Sequence, residues 1–208
     1  MHNTKGGDQM TETAKNTHWT ASRIAGLGLL TAVVILLQLM GSFIHFGPFS
    51  VSLVLIPIVV GSALYGITGG AWLGLVFGVV VLLSGDASLF LAVSAGGTII
   101  TVIVKGICAG LAAGAVYGAL SHVNPTLAIA AAACVCPVVN TGVFLIGCLI
   151  FFMDTVAGWA AAAGLPDQVG KYMIIGLVGG NFIFELLTNV ILSPIIVRVI
   201  KIVRTRVR

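Results

Sequence analysis

The sequence predicts an all-α integral membrane protein, with six transmembrane helices in one bundle and both termini cytosolic. Three observations carry that reading. Of 208 residues, 59% are hydrophobic and only 8% charged, with a mean hydropathy of +1.16, whereas about a quarter of a soluble domain is charged. Glycine recurs at every fourth position in two stretches, Gly70, Gly74 and Gly78, then Gly106, Gly110, Gly114 and Gly118. In water such helices would lose ~1 kcal/mol per glycine, whereas a bilayer enforces the helix and the glycines open a face for close packing. Finally, lysine and arginine are lopsided. With both termini inside, Lys5, Lys15, Arg23, Arg198, Lys201, Arg204, Arg206 and Arg208 are cytosolic, Lys171 is outside and Lys105 is buried in a span, the pattern that sets orientation.

Hydrophobic runs of about 20 residues can cross the bilayer. They occupy residues 24–44, 49–66, 68–84, 97–120, 126–152 and 172–200. The turn signals His45-Phe-Gly-Pro48 and Ser121-His-Val-Asn-Pro125 separate two of the pairs. Residues 85–96 read as a loop that keeps Leu89, Phe90 and Leu91, and a longer loop carries Asp154, Trp159, Pro166 and Asp167. One membrane domain, 22–203, therefore lies between a polar, disordered cytosolic tail at 1–21 and a basic tail at 204–208. The tail at 1–20 lacks an apolar core, so the first span reads as a retained anchor. Cys108, Cys134, Cys136 and Cys148 all fall in apolar segments and read as small core residues, not metal ligands. The basic C-terminal run is a topology determinant that touches anionic lipid, and nucleic acid is not expected.

With this orientation both glycine stripes lie in the inner half of the membrane, so a cavity should open in the outer half. The polar residues agree. Thr98, Thr101 and Lys105 follow i, i+3, i+7 and share a helix face, and Asn181, Glu185 and Asn189 follow i, i+4, i+8. Asn140 stands three residues after Pro137, whose ring frees a carbonyl. Counting ~1.5 Å per residue puts Lys105, Asn140 and Asn181 at similar depth, ~12 to 20 Å from the outer surface. An ionisable group there must face a wet cavity or an opposite charge. Two readings stand for Lys105: it holds a ligand, or it pairs with Glu185, the only acid within a span. Gln38 and His45 are left undecided, and Asn189 reads as an interhelical hydrogen-bonding group.

No glycine-rich phosphate loop, His-Glu-x-x-His or Gly-x-Ser-x-Gly occurs, so neither ATP hydrolysis by the usual route nor common hydrolase chemistry is expected. The chain does not read as an enzyme, and no cofactor or metal is implied. A secondary carrier should show paired broken helices or an inverted repeat, and 24–84 does not correspond to 97–200. A structural membrane subunit would bind nothing.

The order and spacing of Gly47-Pro48 to Gly66, of the following Gly-Gly-Ala-Trp-Leu-Gly-Leu-Val-Phe-Gly and of Asn181-Phe-Ile-Phe-Glu185 to Pro194 resemble the substrate-binding S components of energy-coupling factor (ECF) vitamin transporters. The resemblance covers 22–203. It implies a multi-pass protein of the bacterial cell membrane that captures a vitamin or related micronutrient from outside. The captured molecule is delivered inward with a transmembrane T component and two cytosolic ATPases, after the protein topples in the membrane. The substrate-binding candidates are then Lys105, Thr101, Thr98, Asn140, Asn181, Glu185 and Trp159. Docking to the T component falls on Gly28 and Ala32 of the first span, with Ala21 and Ala25 offering the same spacing. A buried lysine suits an anionic ligand, with pantothenate as the example.

Overall fold

The computed structural model describes the backbone of residues 5–42, 45–46, 49–50 and 53–206 and the side chains of 21–42, 53–200 and 202. Among the described residues the regular structure is helical apart from a two-residue antiparallel pair, β1 (His45–Phe46) with β2 (Phe49–Ser50). The turn at Gly47-Pro48, the His45 side chain and the side chains of both basic tails from Lys201 and before Ala21, Ile202 excepted, lie outside the described residues.

In order the helices are α1 (Lys5–Gly41), α2 (Leu55–Ser84), α3 (Ser88–Val93), α4 (Ala95–Leu120), α5 (Pro125–Phe151), α6 (Met153–Ala162), the single turn α7 (Val169–Lys171) and α8 (Gly179–Arg206). A π-helical segment, Tyr172–Leu177, joins α7 to α8. Among the described residues five helices are long and apolar enough to cross a membrane: 21–41 of α1, then α2, α4, α5 and 179–200 of α8. Large apolar residues such as Leu83, Ile100, Ile150, Leu187 and Ile191 are exposed on their outer faces. Water would not tolerate that surface, and lipid requires it.

Phe49–Ser50 of the expected span 49–66 are in β2, while the part from Leu55 on and the expected span 68–84 fall within α2, which breaks at Gly66. There φ is 76° and ψ −167°, a conformation open to glycine and strained for other residues. Position 61 meets Leu73, a Cβ on Gly69 would stand 3.2 Å from the Gly61 carbonyl, and position 70 meets Ser62. Residues eight to twelve apart on a straight helix would be ~12 to 18 Å apart, so the chain doubles back at Gly66.

Four expectations are corrected. The 85–96 stretch holds helix α3, because Phe90 and Ala87 are buried and pin it to the bundle. The long loop after α5 is mostly helix α6, whose Val156 and Ala160 are fully buried. The last span does not run unbroken from Tyr172, since the π-helical segment precedes α8, with Val178 N–H donating to the Met173 carbonyl at 3.2 Å. At the other end, the helical backbone of α1 reaches back to Lys5, into the stretch expected as a disordered tail.

Caps place the helix starts. Asn124 accepts from the N–H groups of Thr126 (2.9 Å) and Leu127 (3.2 Å) ahead of Pro125 at the first helical position, and Ser94 accepts from Gly97 at 3.3 Å.

The glycine stripes meet as the spacing predicted. Gly70 packs on Gly110 and Gly74 on Gly106, backbone to backbone, while Gly78 faces Val102 and Ile103 and Gly114 faces Ile67. A Cβ at Gly74 or Gly106 would overlap the opposite carbonyl. Gly118 is different, with nothing within 4 Å of where its Cβ would stand. One apolar core, including Val59, Leu73, Ala109, Ala113, Ala132 and Cys136, surrounds this contact, and a second, including Phe90, Cys148, Phe152 and Val156, lies beyond it.

Candidate ligand-binding cavity

Past Gly78 the side chains on α2 and α4 grow, and a partly enclosed cavity opens. Its empty volume is about 560 Å³, mouth included. On α4, Thr98, Thr101, Val102 and Lys105 line it, on α2 Phe77 and Val81, on α5 Asn140 and Phe144, and on α8 Asn181 and Glu185. The sequence periodicities therefore converge, and all the candidates except Trp159 reach one space.

Each polar group has its own support. Thr98 Oγ1 donates to the Ser94 carbonyl at 2.7 Å, a bond within its own helix. Thr101 is 4% exposed and its Oγ1 has no hydrogen-bond partner among the described residues. The Cβ-less surface of Gly147 on α5 makes room for the Thr101 side chain. Asn140 is 5% exposed, and its Oδ1 likewise has no partner among the described residues. Asn181 Nδ2 donates to Glu185 Oε1 at 3.0 Å. Asn189 donates to the Glu185 carbonyl at 2.9 Å, so its amide serves its own helix where an interhelical bond was expected.

The Lys105 ammonium lies 5.5 Å from the Phe77 ring centroid and 5.4 Å from that of Phe144. Each ring face offers negative quadrupole density, a contact worth about 1 to 2 kcal/mol when desolvated. The charges of Glu185 and Asp86 both act on Lys105. No direct ion pair joins it to a carboxylate among the described residues. The lysine is thus held over aromatic rings at the cavity wall.

Two cavity groups were missed by sequence reasoning as site residues. Asp86, expected only as an outer-loop charge, lines the cavity, and the buried amide of Gln38 on α1 donates to its carboxylate. Phe90 of α3 and Phe152 form an apolar wall. Phe90 stands edge-on to Phe144 (5.5 Å), Phe152 (5.0 Å) and Trp159 (5.4 Å). Trp159 is not among the lining residues and packs edge-on against Phe90, which is. The apolar Leu89-Phe90-Leu91 within a glycine- and serine-rich stretch was the available signal for that wall.

On α1, Gly28 and Ala32 are exposed, as are Ala21 and Ala25 on the same face. A Cβ on Gly28 would meet nothing within 4 Å. The opposite face carries Val34 and Gln38, both buried, and Gly26 against Tyr65.

A family model described as ECF transporter, substrate-specific component, matches residues 22–200. The chain belongs to that family. This S component is therefore a multi-pass membrane protein with a substrate-capturing role in transport, and its family works with T and ATPase partners. No curated protein matches the chain.

Proposed function

We propose that this S component captures a vitamin or related micronutrient at the outer face of a bacterial plasma membrane. It delivers the molecule inward within an ATP-driven complex made with a transmembrane T component and two cytosolic ATPases. The observation that carries this reading is the cavity itself. It is a partly enclosed space inside a lipid-facing bundle, with an ammonium, three buried oxygens (of Thr101, Asn140 and Asn181) that have no partner among the described residues, and an aromatic wall converging on it. Ligand sites are built in this way, mostly apolar with a few placed polar groups.

Lys105, Thr101, Asn140, Asn181 and Glu185 are the contacts we assign to substrate, with Thr98 at the wall and Trp159 bracing Phe90 from behind. The reversal at Gly66 supports six spans, α2 supplying two of them, and with the lysine and arginine asymmetry supports cytosolic termini. In that orientation the glycine contact closes the cytosolic half, and the cavity opens outward through the α3 and α6 end. The exposed Ala21, Ala25, Gly28 and Ala32 face is the surface we assign to the T component, since small residues let a partner helix approach closely.

Reconstitution in proteoliposomes tests the reading. The chain alone should bind substrate without accumulating it, and adding the T component and ATPases should make uptake ATP-dependent. Concentrative uptake by the chain alone on an ion gradient would make it a secondary carrier instead.

A further inference from the structure

Several polar side chains on the long helices serve their own backbone. The hydroxyls of Thr31, Thr98 and Thr188 each donate to the carbonyl four residues back, at 2.8, 2.7 and 2.7 Å, and the Asn189 amide donates to the Glu185 carbonyl at 2.9 Å. In lipid that is the default, because the hydrocarbon offers no other partner. Two residues on the cavity wall depart from it. Thr101 and Asn140, 4% and 5% exposed, hold a hydroxyl and an amide oxygen with no hydrogen-bond partner among the described residues.

A third such oxygen belongs to Asn181, whose amide nitrogen donates to Glu185 at 3.0 Å. Asn189 Oδ1 lacks a partner as well, but Asn189 is not among the lining residues. The other three come from α4, α5 and α8 and line one space. A buried oxygen left without a donor costs stability, and here that cost recurs three times around a single cavity. An amide oxygen only accepts, a hydroxyl does either, and an ammonium only donates. The complement of this wall is therefore a molecule with N–H or O–H hydrogens for Asn140 and Asn181 and an acceptor atom for Lys105. Because Asn140 and Asn181 stand on different helices, at least two such hydrogens are needed.

We propose that Asn140 and Asn181 read hydrogen-bond donors on the ligand, with the Thr101 hydroxyl as a third contact. The ligand carries at least two N–H or O–H hydrogens on a body whose apolar side lies against Phe90 and Phe152, and it turns an acceptor atom to Lys105. This rests on the capture reading above and narrows its substrate class. A carboxylate on an apolar, donor-free body satisfies Lys105 alone and leaves the amide oxygens buried and unpaired, so the site rejects it. The assignment depends on donors and not on net charge.

Two measurements test this. The small molecule that stays with the protein through purification from its native host is identified by mass spectrometry, and the purified protein is titrated with four probes. Pantothenate and riboflavin carry several N–H or O–H donors, whereas nicotinate and lipoate are carboxylates without any. The proposal expects a carried molecule with at least two donors, and one of the donor-bearing probes binding at least tenfold more tightly than either donor-free one. Asn140→Leu, close in size, should weaken binding of that probe tenfold or more, while the melting temperature of the ligand-free protein holds or rises because an unpaired oxygen has gone. An amide that only held the helices together would do the reverse, with affinity kept and melting temperature lowered. Should Asn140→Leu not fold, Thr101→Val, which loses only the hydroxyl, is read in the same way. A carried molecule without donors, tighter binding of nicotinate or lipoate, or unchanged affinity in the variant overturns the donor reading and leaves the capture reading standing. A protein that carries nothing and binds none of the four probes overturns both.

Discussion

The second half of α2, after Gly66, and helix α4 run side by side in opposite directions, yet their two ends do different work. At one end Gly70 and Gly74 touch Gly110 and Gly106 through their backbones. Toward the other, Gly78 still packs on Val102 and Ile103, and Phe77, Val81, Thr101 and Lys105 line a cavity beside the pair. Residue size along one interface decides where the pair can close and where it must open. Close packing at the glycine end fixes the axes, and the larger side chains that follow border a space also walled by α5 and α8. In lipid this matters more than in water, because helix association rests on close packing and hydrogen bonds and not on apolar burial.

The largest effect should come from closing the difference between the ends. Gly106→Leu drives a side chain into the Gly74 carbonyl, and neither backbone can yield. Overpacking ordinarily costs about 1 to 3 kcal/mol, and a collision with backbone on both sides should exceed it. The expected result is loss of a monodisperse, cooperatively melting protein in detergent. A variant that melts near the wild-type temperature would show that the two helices are not locked there.

Much of this contrast was legible in the sequence, because four-residue spacing of glycine has one geometric meaning in a membrane helix. The i, i+3, i+7 run of Thr98, Thr101 and Lys105 and the Asn181, Glu185 pair converge for the same reason, each being periodic within one helix. What was not legible depends on tertiary placement. Asp86 looked like a loop charge because nothing local says that a turn folds back under Gln38, 48 residues away. That Trp159 packs edge-on against Phe90, 69 residues away in the chain, is likewise set by tertiary placement. Helix α6 hid in a segment rich in alanine and glycine, whose burial at Val156 and Ala160 comes from neighbours distant in sequence.

Next in size is a change remote from both ends of the α2 and α4 contact. Ala32 is exposed on α1, so Ala32→Trp should leave folding and ligand affinity within twofold of wild type and abolish uptake by the assembled transporter. A parallel fall in affinity would move the docking surface elsewhere.

Within the cavity, Lys105→Met keeps the stem's bulk over Phe77 and Phe144 and removes the charge. Binding of the copurified molecule should weaken by about 2 kcal/mol, the scale of a charge-assisted hydrogen bond. If Lys105 serves Glu185 instead, affinity stays and stability falls, with Glu185→Gln restoring it. Calorimetry and melting curves on both single variants and the double separate the two roles.

The smallest effect belongs to Gly118, the glycine of the stripe that touches nothing. Replacing Gly by Ala inside a water-exposed helix stabilises it by about 1 kcal/mol, largely because the unfolded chain loses freedom. In a bilayer the span is helical before it packs, since its backbone has no other partner, so that gain should shrink and Gly118→Ala should fall within about 0.5 kcal/mol of wild type. Gly110→Ala, two steps along the same stripe, would collide with the Gly70 carbonyl and should cost several times more. Melting temperatures of the two alanine variants, taken in the same detergent, read the boundary of the packed end directly. Equal losses would place a further helix against Gly118, and a gain near 1 kcal/mol would put that last turn in water.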